Sequence, residues 1–159
     1  MGTTGIEPER HLFEDDGAIP NSALPLLVWR GVLPMGEGDP AAACEAMFAG
    51  NGWGDAWRWG VYGFHHFHST AHEVLGVVRG EARVRFGGPG GVLLAMRPGD
   101  VVLIPAGVGH KDEGSSEDLL VVGAYPDGQK PDLRRGAPGE RPEVEANIAR
   151  LPRWERLPV

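Results

Sequence analysis

Gly60-Val61-Tyr62-Gly63-Phe64-His65-His66-Phe67-His68-Ser69-Thr70-Ala71-His72-Glu73 holds four of the six histidines of a 159-residue chain and ends on a carboxylate. Imidazoles clustered beside a carboxylate form the donor set taken by a divalent metal of intermediate softness. The flanks are apolar and broken by glycine, so the cluster is expected in a folded core and not on a histidine-rich surface loop. In an extended chain, alternation puts His66 and His68 on one face and His65 and Phe67 on the other. Ser69-Thr70-Ala71 reads as a turn, after which His72 and Glu73 open a second strand. These two have opposite parity, so one of them joins His66 and His68. A distant further candidate is His110, beyond the strand that finishes Ile104-Pro105-Ala106-Gly107.

Outward from this stretch the pattern is β. Short apolar or alternating segments cover 56–68, 74–78, 82–86, 92–96, 101–104 and 119–125, with turn signals between them. This spacing predicts an all-β antiparallel sandwich or barrel. The glycine run at 87–91 lacks the Gly-Lys-Ser/Thr ending of a phosphate loop and a helix after it, so it reads as a hairpin loop. Residues 1–23 read as a polar arm, with His11 solvated. The segment 24–33 reads as an edge strand at best, because Pro25 and Pro34 bracket it. One helix is expected after Asp39 as N-cap and Pro40 as first residue, with Gly50 at the C′ position. It would bury Cys44, Met47 and Phe48, with Cys44 acting as a small hydrophobe. Six of the fourteen prolines follow Tyr125. A short helix from Pro142 is expected in this tail, carrying Val144, Ile148 and Leu151, with Trp154 and Leu157 as anchors.

Composition narrows the function. The chain is 42% apolar and 23% charged with a single cysteine, as in a one-domain protein of a reducing compartment, and a cytoplasmic location is expected. A net charge of −7 offers no basic face for nucleic acid or an anionic membrane. No apolar run reaches the roughly 18 residues of a spanning helix, and residues 1–7 show no signal peptide. The expected partner is a small molecule. The predicted edge strand and the anchored tail favour a homodimer.

Carried along the strand and onto later ones, the parity of His66 puts Phe64, Tyr62, Arg58, Leu75, Val77, Val84 and Phe86 on the inner side. Tyr62 and Arg58 are thereby candidates for gripping a ligand carboxylate or hydroxyl. Trp53, Trp57 and Trp59 are expected to pack the barrel against the helix or a second subunit.

The residues resemble the cupin family. The first cupin motif is matched by Gly60, His66, His68, Glu73 and Gly80, and the second by Gly99, Pro105, Gly107 and His110. Gly114 stands where the second motif has an asparagine, a residue that is not a metal ligand in the family. The run 68–80 with the His110-Lys111 loop is similar to small single-barrel bacterial cupins of undefined activity. The resemblance implies a double-stranded β-helix (a jelly-roll barrel) with one or two short helices outside it. It implies one domain over 1–159, with an arm and helix to 55, a barrel core at about 56–126 and a packing tail over 127–159. It selects Glu73 over His72, giving the metal ligands His66, His68, Glu73 and His110 and one divalent transition metal: Fe, Mn, Ni, Co or Zn. His65 and His72 become outer-face or supporting residues. The implied function is a metal-dependent enzyme acting on a small polar organic molecule as an oxygenase, isomerase or decarboxylase. The alternative is a non-catalytic small-molecule or metal-binding module.

Overall fold

A computed structural model describes residues 7–159. It contains nine strands and two helices among those residues: β1 Glu9–Phe13, β2 Ser22–Trp29, α1 Pro40–Gly50, β3 Trp53–Trp59, β4 Glu73–Arg79, β5 Ala82–Phe86, β6 Val92–Met96, β7 Val101–Ile104, β8 His110–Ser115, β9 Leu120–Pro126 and α2 Glu143–Arg150. All pairings are antiparallel. The large sheet runs β1-β2-β7-β4-β9-β3 and the small one β6-β5-β8. The fold is mostly β, as the turn-separated segments predict. No helix among the described residues is long and apolar enough to cross a membrane.

The large sheet is covered on both faces, which is why its central strands read as continuous apolar runs. Alternate residues serve two cores. Leu26, Val28, Leu75, Val77, Val102, Ile104 and Val121 face the small sheet, where Ala82, Val84, Phe86 and Met96 meet them. Leu27, Trp29, Val74, Val78, Val101, Leu103 and Val122 face outward and are capped by Cys44 and Phe48 of α1 and by Trp154 and Val159 of the tail. Gly76 lets α1 approach β4, since a Cβ there would stand 2.8 Å from Cys44 Sγ. Burial pushes the Cys44 thiol up to about 12, so it is an inert hydrophobe as expected.

Several boundaries differ from the sequence reading. The segment read as an arm contributes β1, and β2 lies between β1 and β7, so β2 is not an edge strand and the barrel strands begin at residue 9. Pro25 is accommodated because it falls in the register shift between the His11–Leu26 and Phe13–Ser22 pairs, before pairing with β7 starts at Leu27. His11 sits partly buried in β1 beside Glu9 and is not a solvated arm residue. The strand β8 has the sequence HKDEGS, whose lack of apolar alternation hid it. Asp39 caps α1 by accepting from Ala41 N, and Pro40 is its first residue. Gly50 remains helical; the left-handed position after the helix is taken by Gly52 at φ +83°. The tail helix α2 starts after Pro142 and buries Val144, while Trp154 and Leu157 join the outer core.

Candidate metal centre

Three elements deliver the site. The segment 60–68 leaves the regular strand after Trp59 and rejoins the barrel through a two-residue bridge. There His66 N donates to His110 O (3.2 Å) and His110 N donates to His66 O (2.9 Å). His110 opens β8 after a tight turn in which Gly107 has φ +95° and a Cβ would stand 2.4 Å from Asn21 O. Glu73 opens β4 with Leu75 and Val77 on its side, so its carboxylate enters the barrel.

His66, His68 and His110 each place a ring nitrogen within 4.8 Å of the other two. All three rings are fixed from behind. Nδ1 of His66 lies 3.0 Å from Phe64 O, that of His68 2.5 Å from Asp132 O, and that of His110 3.2 Å from Val108 O. A carbonyl oxygen only accepts, so each Nδ1 carries a proton and each ring turns its Nε2 inward. Glu73 Oε1 stands 3.2 Å from His68 Nε2 and 3.3 Å from His110 Nε2. Two ring nitrogens thus face a carboxylate oxygen in a buried site, an arrangement that calls for a proton or a cation between them.

The electrostatics follow. Burial opposes the charge of Glu73, but the imidazoles of His68 and His110 outweigh it and hold the carboxyl well below its usual range. Burial and the neighbouring His110 push His66 down to about 3, so it is a neutral donor. For His68 the adjacent Glu73 outweighs burial and raises the imidazole. The cluster of His66, His68 and His110 suits a divalent transition metal.

The cluster forms the floor of a cavity of about 390 Å³. Its walls are Trp57, Trp59, Val61, Leu75, Pro131 and Leu133, and Tyr62 and Tyr125 add hydroxyls. Tyr62 lies edge-on to His66 with ring centroids 5.2 Å apart. Tyr125 was not anticipated. Its hydroxyl accepts from Trp57 Nε1 at 2.8 Å, and burial together with the Glu73 charge pushes its pKa up, so it stays protonated. Trp57 reaches it because Gly123 lies beneath the indole; a Cβ there would be 2.1 Å from the ring.

Arg58 is placed elsewhere. Its guanidinium bonds Glu45 of α1 at 2.8 and 2.9 Å on the outer side of the sheet. Parity fails there because the chain between Trp59 and His66 is irregular. Upstream of Arg58, β3 also carries a bulge between Gly54 and Trp57, with Asp55 at φ +52°. The same bulge splits the tryptophans: Trp53 joins the core with α1, whereas Trp57 and Trp59 line the cavity. Arg58→Ala is therefore expected to leave bound metal and ligand affinity unchanged, as checked by elemental analysis and ligand titration.

The remaining histidines stand apart. His72 points outward, accepts from Ala106 N at Nδ1 (2.9 Å) and donates from Nε2 to Pro152 O (2.9 Å). His65 lies partly buried near Lys111, and burial followed by that charge lowers its pKa. Gly114 is exposed in β8 with open space where a side chain would project, so the missing asparagine does not touch the cavity packing.

Residues 63–130 match the family model described as "Cupin". A Bacillus subtilis (strain 168) protein, "Uncharacterized protein YjlB", is 42% identical over 143 residues, covering 89% of this chain and 84% of that one. Among solved structures, the dTDP-6-deoxy-D-glucose-3,5-epimerase RmlC from Legionella pneumophila Philadelphia 1 aligns over 75% of this chain and 72% of that one, with 15% identity and a TM-score of 0.43. A chain from the crystal structures of the DMSP lyases RdDddP and RnDddQII aligns over 50% of this chain and 40% of that one, with 22% identity and a TM-score of 0.40. Similarity to the Bacillus relative over most of both chains, the family match and the two-sheet architecture together make this chain a member of the cupin family.

Proposed function

We propose that the chain is a metal-dependent enzyme that holds one divalent transition metal on His66, His68, Glu73 and His110 and acts on a small organic molecule in the adjoining cavity. One observation carries this reading. Each imidazole is tied through Nδ1–H to a backbone carbonyl, so three ring nitrogens turn toward one another beside a buried carboxylate, which supports a cation site. A bound metal of this kind supplies Lewis-acid or redox activation to a molecule occupying its open positions.

The chain's own residues set what else the site does. The walls exclude water from the bound molecule, and Tyr62 stands at the rim to orient it. Tyr125 is held protonated and acts as a hydrogen-bond donor, not as a base. Asp132 lines the cavity, but its carboxylate is occupied by Ser69, Thr70 and Arg134. Once the four proposed ligands are committed, no described lining histidine or carboxylate is left free as a general base. This favours reactions centred on the metal over isomerisation by side-chain acid–base catalysis.

Elemental analysis of the purified protein is expected to find close to one transition metal per chain. Chelation should lower the thermal midpoint by about 10 °C, the shift for about 4 kcal/mol of binding energy at a free metal concentration a thousand times Kd. A protein that arrives without metal and takes up none of Fe, Mn, Co, Ni or Zn would refute the reading. Turnover of a small-molecule panel by the loaded protein then separates an enzyme from a binding module.

A further inference from the structure

The cavity above the cluster has a chemical bias that bears on its ligand. Its walls beyond the four central side chains are aromatic or aliphatic except for Asp132, whose carboxylate is taken up by Ser69, Thr70 and Arg134. Three of the five exposed large apolar residues found among the described residues gather at its mouth: Trp59 (56% exposed), Leu133 (47%) and Tyr62 (39%). Apolar side chains left in water around a concave site gain most from a partner that covers them. Cations are missing from the same surface. No lysine or arginine among the described residues lines the cavity. The arginines near it in sequence are engaged elsewhere: Arg58 with Glu45, Arg134 with Asp132, and Arg135 over the Phe64 ring at 3.9 Å.

Resting on the proposed metal site, we infer that the ligand is an uncharged molecule with an apolar, ring-sized body and a single hydroxyl or carbonyl at the end that meets the cluster. A cavity of about 390 Å³ accommodates such a body; an engineered apolar cavity of about 150 Å³ already holds benzene. A second carboxylate or a phosphate would lie against Trp59, Val61 and Leu133 with no counter-charge. A polyol would lose water from several hydroxyls and find, beyond the cluster, only Tyr62, Tyr125 and the already engaged Asp132.

Benzyl alcohol, erythritol and succinate, titrated into the protein as purified and followed by tryptophan fluorescence and calorimetry, test this directly. Benzyl alcohol is expected to bind at least about tenfold more tightly than either of the others. Trp59→Ala and Leu133→Ala should each weaken it about tenfold, since each removes one wall contact. Both residues lie at the exposed mouth, so bound metal and thermal midpoint should stay at the wild-type level. Erythritol or succinate binding as tightly as benzyl alcohol would overturn the inference, as would full benzyl alcohol affinity in both variants. Metal content measured on the same samples keeps the two readings separate. A metal-free protein that still prefers benzyl alcohol refutes the metal site and supports the apolar ligand. A loaded protein that prefers succinate does the reverse.

Discussion

His72→Ala is expected to lower the thermal midpoint by about 10 °C with metal content unchanged, whereas His110→Ala is expected to strip the protein of metal. The two histidines are equally buried, at 3% and 2% exposure, and composition does not distinguish them. Their hydrogen bonds do. His72 uses both ring nitrogens on the backbone, accepting from Ala106 N and donating to Pro152 O. It thereby ties the turn after β7 to the C-terminal tail, and its ring lies edge-on to Trp154 at 5.3 Å. Alanine leaves two backbone groups without partners, a cost of about 3 kcal/mol, or about 10 °C for a domain of this size. His110 spends only Nδ1 on the backbone and keeps Nε2 for the cluster. Removing a ligand should cost more than the 10–100-fold in metal affinity typical of a supporting residue. Thermal melts in excess chelator, paired with elemental analysis, read the two effects apart. Metal loss in His72→Ala would place that residue in the site and break the assignment of Glu73.

The difference between these histidines was partly legible in the sequence. Opposite parity at positions 72 and 73 required one of them to face outward, and β4 begins at Glu73 with Leu75 and Val77 on the inner side. The hairpin β5–β6 and strand β7 were legible for a related reason: apolar segments between strong turn signals admit few registers. Parity misled where the backbone stops alternating. Arg58 and His66 are eight residues apart, which preserves a face only in an unbroken strand, and the chain between them is irregular from Gly60 onward. β8 was hidden because HKDEGS has no apolar face to show. Pro25 argued against a central strand, yet a register shift absorbs its missing donor. Tyr125 and Asp132 belong to the site through contacts more than fifty residues away in the chain, with Trp57, Ser69 and His68, and no local pattern carries that information.

Asp132→Ala is expected to weaken metal binding about 10–100-fold, although its carboxylate bonds none of the four central residues. The backbone carbonyl of Asp132 fixes His68, accepting from Nδ1 at 2.5 Å. The carboxylate fixes Asp132 itself. It accepts from Ser69 N at 2.6 Å, Ser69 Oγ at 2.5 Å and Thr70 N at 3.3 Å, and Arg134 Nε adds a fourth donor at 2.8 Å. These donors, outweighing burial, hold the Asp132 carboxyl down at about 2, so it is a charged acceptor at neutral pH. Asp132 N donates to Thr70 Oγ1 at 3.0 Å, and Phe67 and Arg134 exchange backbone bonds of 2.9 and 3.0 Å beside it. The tail therefore clasps the turn that follows His68, and the ring angle depends on that clasp. In Asp132→Ala the Phe67–Arg134 pair survives, but the fully buried Ser69 loses its charged acceptor. The cost in stability is about 2 kcal/mol. Asn147→Ala is the control, because Asn147 Nδ2 donates to the same Ser69 Oγ at 3.1 Å without contacting Asp132. It should lower stability and leave metal affinity unchanged. Competition with a chelator, run well below the melting point of each variant, measures the affinities. Equal metal affinity in Asp132→Ala and the wild type would mean that the tail stabilises the fold without setting the geometry of His68.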